Sequence, residues 1–170
     1  GRITVRQKRA DFLWEIIKKL SAKGIQFVFE IAGKGDYIEK ILSSADEKGI
    51  ADKVHFAGFL IRSEIPFFWQ RQDIMVSCSD WEGHSISQCE AMAAGAVPII
   101  TDVSGARDDV IDGENGYVVD VGATDQIVEK ICFLDKHREL LPVMGKKAYE
   151  TIKQRTDSVN LEEFWKSILI

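Results

Sequence analysis

Two glutamates frame the segment with the densest polar chemistry in the chain. Glu82 and Glu90 are separated by seven residues within residues 80–95, which read DWEGHSISQCEAMAAG and directly follow an apolar run. Carboxylates accept hydrogen bonds strongly, so a pair placed in this way suits the hydroxyls of a sugar and of a ribose. A single glutamate is more often an exposed, solvated acid. The whole pattern, however, favours a binding site.

Ser85 and Gln88 have the spacing of a capping box, with serine at the N-cap and glutamine three residues later. This spacing predicts a helix that begins at Ile86 and has free backbone N–H groups at its start. Such a helix end attracts anions. At the carboxyl edge of a parallel strand, it is the usual position for a phosphate or sugar ligand.

The same segment resembles the signature of glycosyltransferase family 4. Gly83 follows the first glutamate, and residues 91–95 (AMAAG) follow the second. Residues 104–116 (SGARDDVIDGENG) are similar to the family's next segment, a small-residue turn, an acidic residue and a D-G-x-x-G turn. The resemblance covers essentially the whole chain. It implies the GT-B architecture, in which two Rossmann-like domains face each other and the C-terminal one binds a nucleotide-sugar donor.

The resemblance also implies roles for single residues. Gly1-Arg2 together with Lys8 is similar to a G-R…K element in which the two cations hold the donor diphosphate. Fixed cations stabilise the negative charge that develops on a leaving diphosphate. Glu82 is expected to hold donor-sugar hydroxyls and Glu90 the ribose hydroxyls. Arg2, Lys8 and Glu82 are therefore the candidate catalytic residues.

Two glycine-containing turns complete the implied donor site. Residues 33–35 (GKG) follow a predicted strand, and such a turn suits close backbone approach to a nucleotide. Residues 58–60 (GFL) resemble the segment whose main chain meets the base. The whole predicted donor site comprises Arg2, Lys8, Gly33, Gly35, Gly58, Phe59, Leu60, Glu82, Gly83, His84, Ser85, Ile86 and Glu90.

Four positions depart from the family pattern. His84-Ser85 stands where the family has phenylalanine and glycine, and His84 has two interpretations. It either donates a hydrogen bond to a sugar hydroxyl or phosphate, or it fills the aromatic position. Arg107 replaces a common proline, and Asp108 takes the place of the usual glutamate, so the shape of that loop departs from the family.

Short apolar runs alternate with amphipathic stretches, which predicts an α/β fold with a parallel sheet. Together with the resemblance, this indicates a Rossmann-like doubly wound sheet, the C-terminal half of a GT-B fold. The predicted strands are residues 25–32, 54–57, 74–78, 97–100 and 116–119. The predicted helices are residues 9–23, 36–48, 64–71, 86–94 and 125–134, followed by helices over about 136–170. Gly24, Gly49 and Gly95 are predicted at helix ends.

The first strand of this sheet is ambiguous. A doubly wound sheet needs a central first strand, but the chain opens with the residues GRITV and no methionine. Either residues 3–5 belong to that strand, or the strand lies upstream of Gly1. The sequence allows both placements.

Composition narrows the class of protein. The 170 residues predict one domain over 1–170, with the N-terminal acceptor domain of a GT-B enzyme absent from this chain. The net charge is −5 and no long basic run is present, which argues against nucleic acid as a partner. Every apolar stretch is shorter than about 18 residues, so no transmembrane segment is predicted. Three cysteines without C-x-x-C spacing favour the reducing cytoplasm, with the inner membrane surface reachable through the other domain.

These features predict a retaining, metal-independent glycosyltransferase domain that uses a UDP-, GDP- or ADP-linked sugar. No His/Cys/Glu group has metal-ligand spacing along the chain, and no cofactor besides the donor is implied. The acceptor is expected to be a glycan or a lipid-linked glycan in polysaccharide or cell-surface glycan synthesis, and the isolated domain is expected to be inactive. Two alternatives remain: a non-catalytic nucleotide-sugar-binding module and a GT-B-like nucleotide-sugar epimerase. An NAD-dependent enzyme is disfavoured because Ile38 occupies the third-glycine position of the dinucleotide fingerprint.

Overall fold

The computed structural model describes residues 3–156, in which parallel strands alternate with helices. The strands are β1 (Phe29–Ala32), β2 (Val54–Gly58), β3 (Ile74–Ser77), β4 (Val97–Thr101) and β5 (Tyr117–Val119). The helices are α1 (Ala10–Ala22), α2 (Ile38–Glu47), α3 (Ile65–Trp69), α4 (Ile86–Ala93), α5 (Ala106–Asp109), α6 (Thr124–Lys136) and α7 (Leu140–Thr156). Within these residues, no helix is both long and apolar enough to cross a bilayer.

The strands form two parallel sheets. One pairs β1 with β2, starting at Phe29 opposite Val54, and the other has the order β3-β4-β5. Every residue of β4 is buried, as expected for a parallel strand covered on both faces. Ile99 packs in a core with α1 and α6, whereas its neighbour Ile100 packs in a second core with α4 and α7. Because adjacent strand residues point to opposite faces, helices cover both faces, which confirms the doubly wound α/β class.

The strand predicted over residues 25–32 is twice as long as the strand that the structure contains. Only Phe29–Ala32 forms strand, because the pairing with β2 begins at Phe29 and no other strand among the described residues pairs with β1. The short helix α5 and the 3-10 turn Ala51–Lys53 were not predicted. The other predicted elements within residues 3–156 are present with ends displaced by a few residues, and α4 begins at Ile86 as predicted.

A slot separates the two sheets. Within residues 3–156 no strand lies next to β1 or β3 on the side that faces away from β2 or β4, and both strands line one cavity of about 730 Å³. Residues 3–5 do not fill it, since they form no strand and the Ile3 N–H donates to the Lys34 carbonyl at 2.8 Å. The placement of residues 3–5 in the first strand is therefore wrong. A strand upstream of Gly1 stays a prediction.

Two glycines let α7 lie directly against the end of α4. A Cβ built on buried Gly145 of α7 would lie 2.2 Å from the carbonyl oxygen of Gly95. Gly95 has a positive φ of 86°, which suits the residue that ends a helix. The absence of a side chain at Gly145 thus sets the distance between these two helices.

Replacing Gly145 with alanine is expected to destabilise the fold by about 1–3 kcal/mol, because α7 must move away from the Gly95 carbonyl. An alanine at an unhindered helix position would instead raise stability by roughly 0.5–1 kcal/mol. Urea unfolding of Gly145→Ala and of Lys146→Ala, its exposed neighbour, measures the difference. Equal midpoints for the two variants would contradict the steric explanation.

Candidate functional site

The N-terminal strap, residues 3–9, crosses the carboxyl ends of β1 and β3. At one end the Ile3 N–H donates to Lys34, just after β1. At the other end the Asp80 N–H donates to the Gln7 carbonyl at 2.9 Å, and the Gln7 side chain donates to the Trp81 carbonyl at 3.1 Å. Carboxyl ends of parallel strands are where α/β folds bind ligands. The strap therefore brings its own side chains to the predicted site.

Arg9 ends the strap in a strained conformation. Its φ of 48° lies in the left-handed region, which costs a non-glycine residue about 1–3 kcal/mol. Ion pairs offset this strain: Arg9 bonds Asp11 at 2.9 Å and Asp80 at 3.2 Å. The hydrogen bond from Arg9 lowers the pKa of Asp11 below its ordinary value. This clamp between the strap and the loop after β3 was missed by sequence reasoning, because no motif marked Arg9.

Lys8 and Glu82, predicted independently as site residues, form an ion pair. The buried Ser79 hydroxyl donates to the same Glu82 oxygen at 2.7 Å. The Glu82 carboxylate is largely shielded from solvent, since its side chain is only 12% exposed. The pair places an ammonium and a carboxylate beside each other just after the carboxyl end of β3, and Ser79 orients the carboxylate.

Helix α4 begins at Ile86, as predicted from the capping residues Ser85 and Gln88. The Ser85 hydroxyl accepts from the Gln88 N–H at 3.4 Å, which confirms Ser85 as the N-cap. The Gln88 side chain accepts no hydrogen bond from the Ser85 N–H within residues 3–156, so the reciprocal half of the capping box is not formed, and the buried Gln88 amide nitrogen has no hydrogen-bond partner there either. One turn further along, the half-buried Glu90 carboxylate also lacks a hydrogen bond within the described residues and lines the cavity. Glu90 therefore offers free acceptor oxygens next to a positive helix end.

The two glycine turns meet each other. The Gly33 N–H donates to the Gly58 carbonyl at 2.8 Å, and the Lys34 ammonium lies 4.4 Å from the centre of the Phe59 ring. Gly35 contacts the strap so closely that a Cβ would fall 1.8 Å from the Ile3 carbonyl oxygen. Residues far apart in sequence thus converge at one edge.

The cavity reaches this edge from the slot between the sheets. The predicted site residues that line it are Lys8, Gly33, Phe59, Leu60, Ser85 and Glu90. Those that do not line it are Gly35, Gly58, Glu82, Gly83, His84 and Ile86. Arg2 lies outside the described residues. The strands line the cavity mainly with apolar side chains, and polar residues lie at both of its ends: Lys8, Ser85 and Glu90 at the carboxyl end, and Arg71, Gln72 and Asp73 before β3.

A sequence model of the family "Glycosyl transferases group 1" matches residues 1–151. The chain belongs to the group 1 glycosyltransferases. It is 26% identical over 162 residues to a poly(ribitol-phosphate) alpha-N-acetylglucosaminyltransferase of Staphylococcus aureus, covering 95% of this chain and 32% of that protein. It is 31% identical over 122 residues to a GDP-mannose-dependent phosphatidylinositol monomannoside mannosyltransferase of Mycobacterium tuberculosis, covering 68% and 32%.

Solved structures agree with the family. The crystal structure of TarM superposes with a TM-score of 0.86 at 26% identity, over 98% of this chain and 33% of TarM. The C-terminal domain of the group 1 protein LpcC from Francisella tularensis gives a TM-score of 0.81 at 23% identity, over 93% and 84%. The latter likeness concerns the fold alone. This group 1 glycosyltransferase chain spans about a third of the length of the curated relatives described above.

His84 contacts two residues from other elements, and its two predicted roles stay predictions. Its Nε2 lies 3.1 Å from the Cys89 sulfur and 3.5 Å from an oxygen of Asp109. Asp109 is fully buried in α5 and also pairs with Arg155, whereas Asp108, the residue predicted to replace the family glutamate, is exposed. Burial, and secondarily the Asp109 charge, raise the pKa of Cys89. Sequence reasoning missed this cluster because its members come from three separate helices and loops.

Proposed function

We propose that this chain is the donor-binding domain of a retaining glycosyltransferase of family 4. The observation that carries the proposal is that Lys8, which is ion-paired with Glu82, lines one cavity together with Gly33, the Ser85 N-cap of α4 and Glu90. These groups match the parts of a nucleotide-diphospho-sugar. The cation and the helix N-terminus suit the diphosphate, and the two carboxylates suit the hydroxyls of the sugar and of the ribose. The domain boundary is proposed as residues 1–170.

Each group has a distinct role in this proposal. Lys8, with Arg2 beyond the described residues, neutralises the departing diphosphate, and the α4 N-terminus adds its positive field. Lys8 exchanges its ion pair with Glu82 for the diphosphate, which leaves the Glu82 carboxylate, still bonded to Ser79, to accept from the donor sugar. Glu90 accepts from the ribose. Attack from the same face as the leaving phosphate retains the anomeric configuration without an enzyme nucleophile.

The donor is a UDP-, GDP- or ADP-linked sugar, bound without a metal ion at the diphosphate. A structural relative supports the nucleotide part of the donor, since a TarM mutant of S. aureus, 25% identical to this chain, was solved in complex with UDP. The acceptor is a glycan or lipid-linked glycan, bound by an N-terminal domain outside this chain. The whole enzyme works in the cytoplasm, at the inner membrane surface where the acceptor is lipid-linked, in polysaccharide or cell-surface glycan synthesis.

Calorimetric titration with UDP, GDP and ADP in the presence of EDTA tests the donor role. We expect one nucleotide to bind in preference to the other two, because the base meets the 58–60 main chain at fixed geometry. Failure of all three to bind a chain whose far-UV spectrum and thermal melt show a folded protein would contradict the proposal.

Activity of the isolated chain gives a separate check. We expect no sugar transfer from a bound donor, because one Rossmann-like domain supplies only half of a GT-B active site. Nucleotide release in the presence of a donor and a glycan acceptor measures it. Rapid transfer by the 170-residue chain alone would contradict the proposal that a second domain is needed to bind the acceptor.

A further inference from the structure

Three side chains of types that bind metal ions meet at the start of α4. His84 Nε2, Cys89 Sγ and Asp109 Oδ2 lie within 4.8 Å of one another. The pairwise separations are 3.1 Å from histidine to cysteine, 3.5 Å from histidine to aspartate and 3.7 Å from cysteine to aspartate. The three groups come from the loop before α4, from α4 itself and from α5, so the tertiary fold assembles them.

These separations match the edges of a tetrahedral site. Zinc binds histidine nitrogen, carboxylate oxygen and thiolate sulfur at about 2.0–2.3 Å, which places neighbouring ligand atoms roughly 3.4–3.6 Å apart. The 3.5 Å and 3.7 Å separations lie in or just above that range and the 3.1 Å separation between His84 and Cys89 lies below it, and an ion just above the plane of the triangle would contact each group. Two hydrogen bonds and an ion pair join these atoms pairwise without a metal, and an ion would give all three atoms one shared partner.

The surroundings hold the aspartate in place. Arg155 bonds Oδ1 of Asp109, which leaves Oδ2 directed at His84 and Cys89. The Asn115 side chain donates to the Asp109 carbonyl at 2.9 Å and accepts from the Ile111 N–H at 2.8 Å, fixing the turn after α5. Partners of this kind orient ligands in metal sites.

Solvent has access from the other side. The His84 side chain is 40% exposed and Cys89 is half-buried, so an ion can enter and a water molecule can occupy a fourth position. The mixed nitrogen, sulfur and oxygen set suits Zn²⁺ better than Mg²⁺ or Ca²⁺, which prefer oxygen ligands.

We propose that His84, Cys89 and Asp109 form a Zn²⁺ site with one open position. His84 also belongs to the predicted donor site, but none of the three side chains is assigned to the diphosphate in the proposed function, and the site departs from the sequence-based expectation of no metal, which rested on spacing along the chain. A bound ion would tie the Gly83-His84 loop to α5. The backbones already touch there, since a Cβ on Gly105 would lie 2.3 Å from the Gly83 carbonyl oxygen.

Cobalt titration of the metal-free chain tests the proposal. Co²⁺ is expected to bind with a stoichiometry of one and to give a thiolate-to-cobalt charge-transfer band, and Zn²⁺ is expected to abolish that band by displacement. Because the ion must displace the thiol proton, binding releases acid, which a pH indicator detects. A wild-type chain that binds Co²⁺ without a charge-transfer band would overturn the proposal.

Matched variants locate the ion. Cys89→Ser and His84→Asn are each expected to lower Zn²⁺ affinity more than about tenfold. Cys132→Ser and His137→Asn, which change the same residue types in and just after α6, should leave it unchanged. A charge-transfer band that persists in Cys89→Ser, or is lost in Cys132→Ser, would place the metal elsewhere and refute the assignment. Thermal melts of each variant without metal separate loss of ligation from loss of folding.

Discussion

Glu90→Ala is expected to weaken nucleotide binding by more than about tenfold. The carboxylate lines the cavity without a hydrogen-bond partner among residues 3–156, so a ligand hydroxyl can bond to it without breaking a contact described within the protein. A hydrogen bond to a charged group contributes about 1.5–3 kcal/mol, and 1.4 kcal/mol corresponds to a factor of ten in affinity. Calorimetry with the preferred nucleotide measures the loss.

Two comparisons separate a ribose contact from a general effect. Glu129→Ala removes an exposed glutamate on α6 and should leave the affinity unchanged. The 2′-deoxy form of the nucleotide should bind the wild-type chain more weakly, and Glu90→Ala should then cause a smaller further loss. If the variant binds both forms as tightly as the wild type does, the ribose assignment is wrong. If it weakens both forms equally, Glu90 acts on another part of the ligand.

The second large effect concerns the slot between the sheets. Five apolar, β-branched residues placed directly before Gly1 are expected to insert between β1 and β3 and to raise the free energy of unfolding by a few kcal/mol. Each fully buried aliphatic side chain contributes about 1.5–3 kcal/mol, against about 1–2 kcal/mol for ordering the backbone of each residue. The strap fixes the direction: it crosses the carboxyl ends of β1 and β3, so a strand leading into it runs parallel to both.

Hydrogen exchange and urea unfolding measure this insertion. Amides of β3 and of residues 29–31 that face the slot should become protected, and the slope of the unfolding transition should increase because more surface is buried in the native state. An extension of five glycine and serine residues serves as the length-matched control. Equal exchange and equal midpoints for the two extensions would mean that the slot does not accept a strand.

Local signals in the sequence were sufficient for much of this fold. The start of α4 was predicted from Ser85 and Gln88, because an N-cap depends on residues three positions apart and on little else. The glycines after α1, α2 and α4 all adopt a positive φ, as predicted from their positions at helix ends. The order of strands and helices followed from the period of the apolar residues, since that period records which face each element buries.

Tertiary structure alone decided the rest. Three of residues 25–28 are apolar, which favours a strand, yet strand formation requires a neighbour to share backbone hydrogen bonds, and the pairing with β2 begins only at Phe29. The Lys8–Glu82 ion pair joins two predicted residues that are 74 positions apart, and no local pattern specifies such a contact. Asp109 directly follows Asp108, the acidic residue that was predicted from the family motif. Its burial against Cys89, His84 and Arg155 depends on how α5, α4 and α7 pack, because side chains brought together by packing leave no periodic signal along the chain.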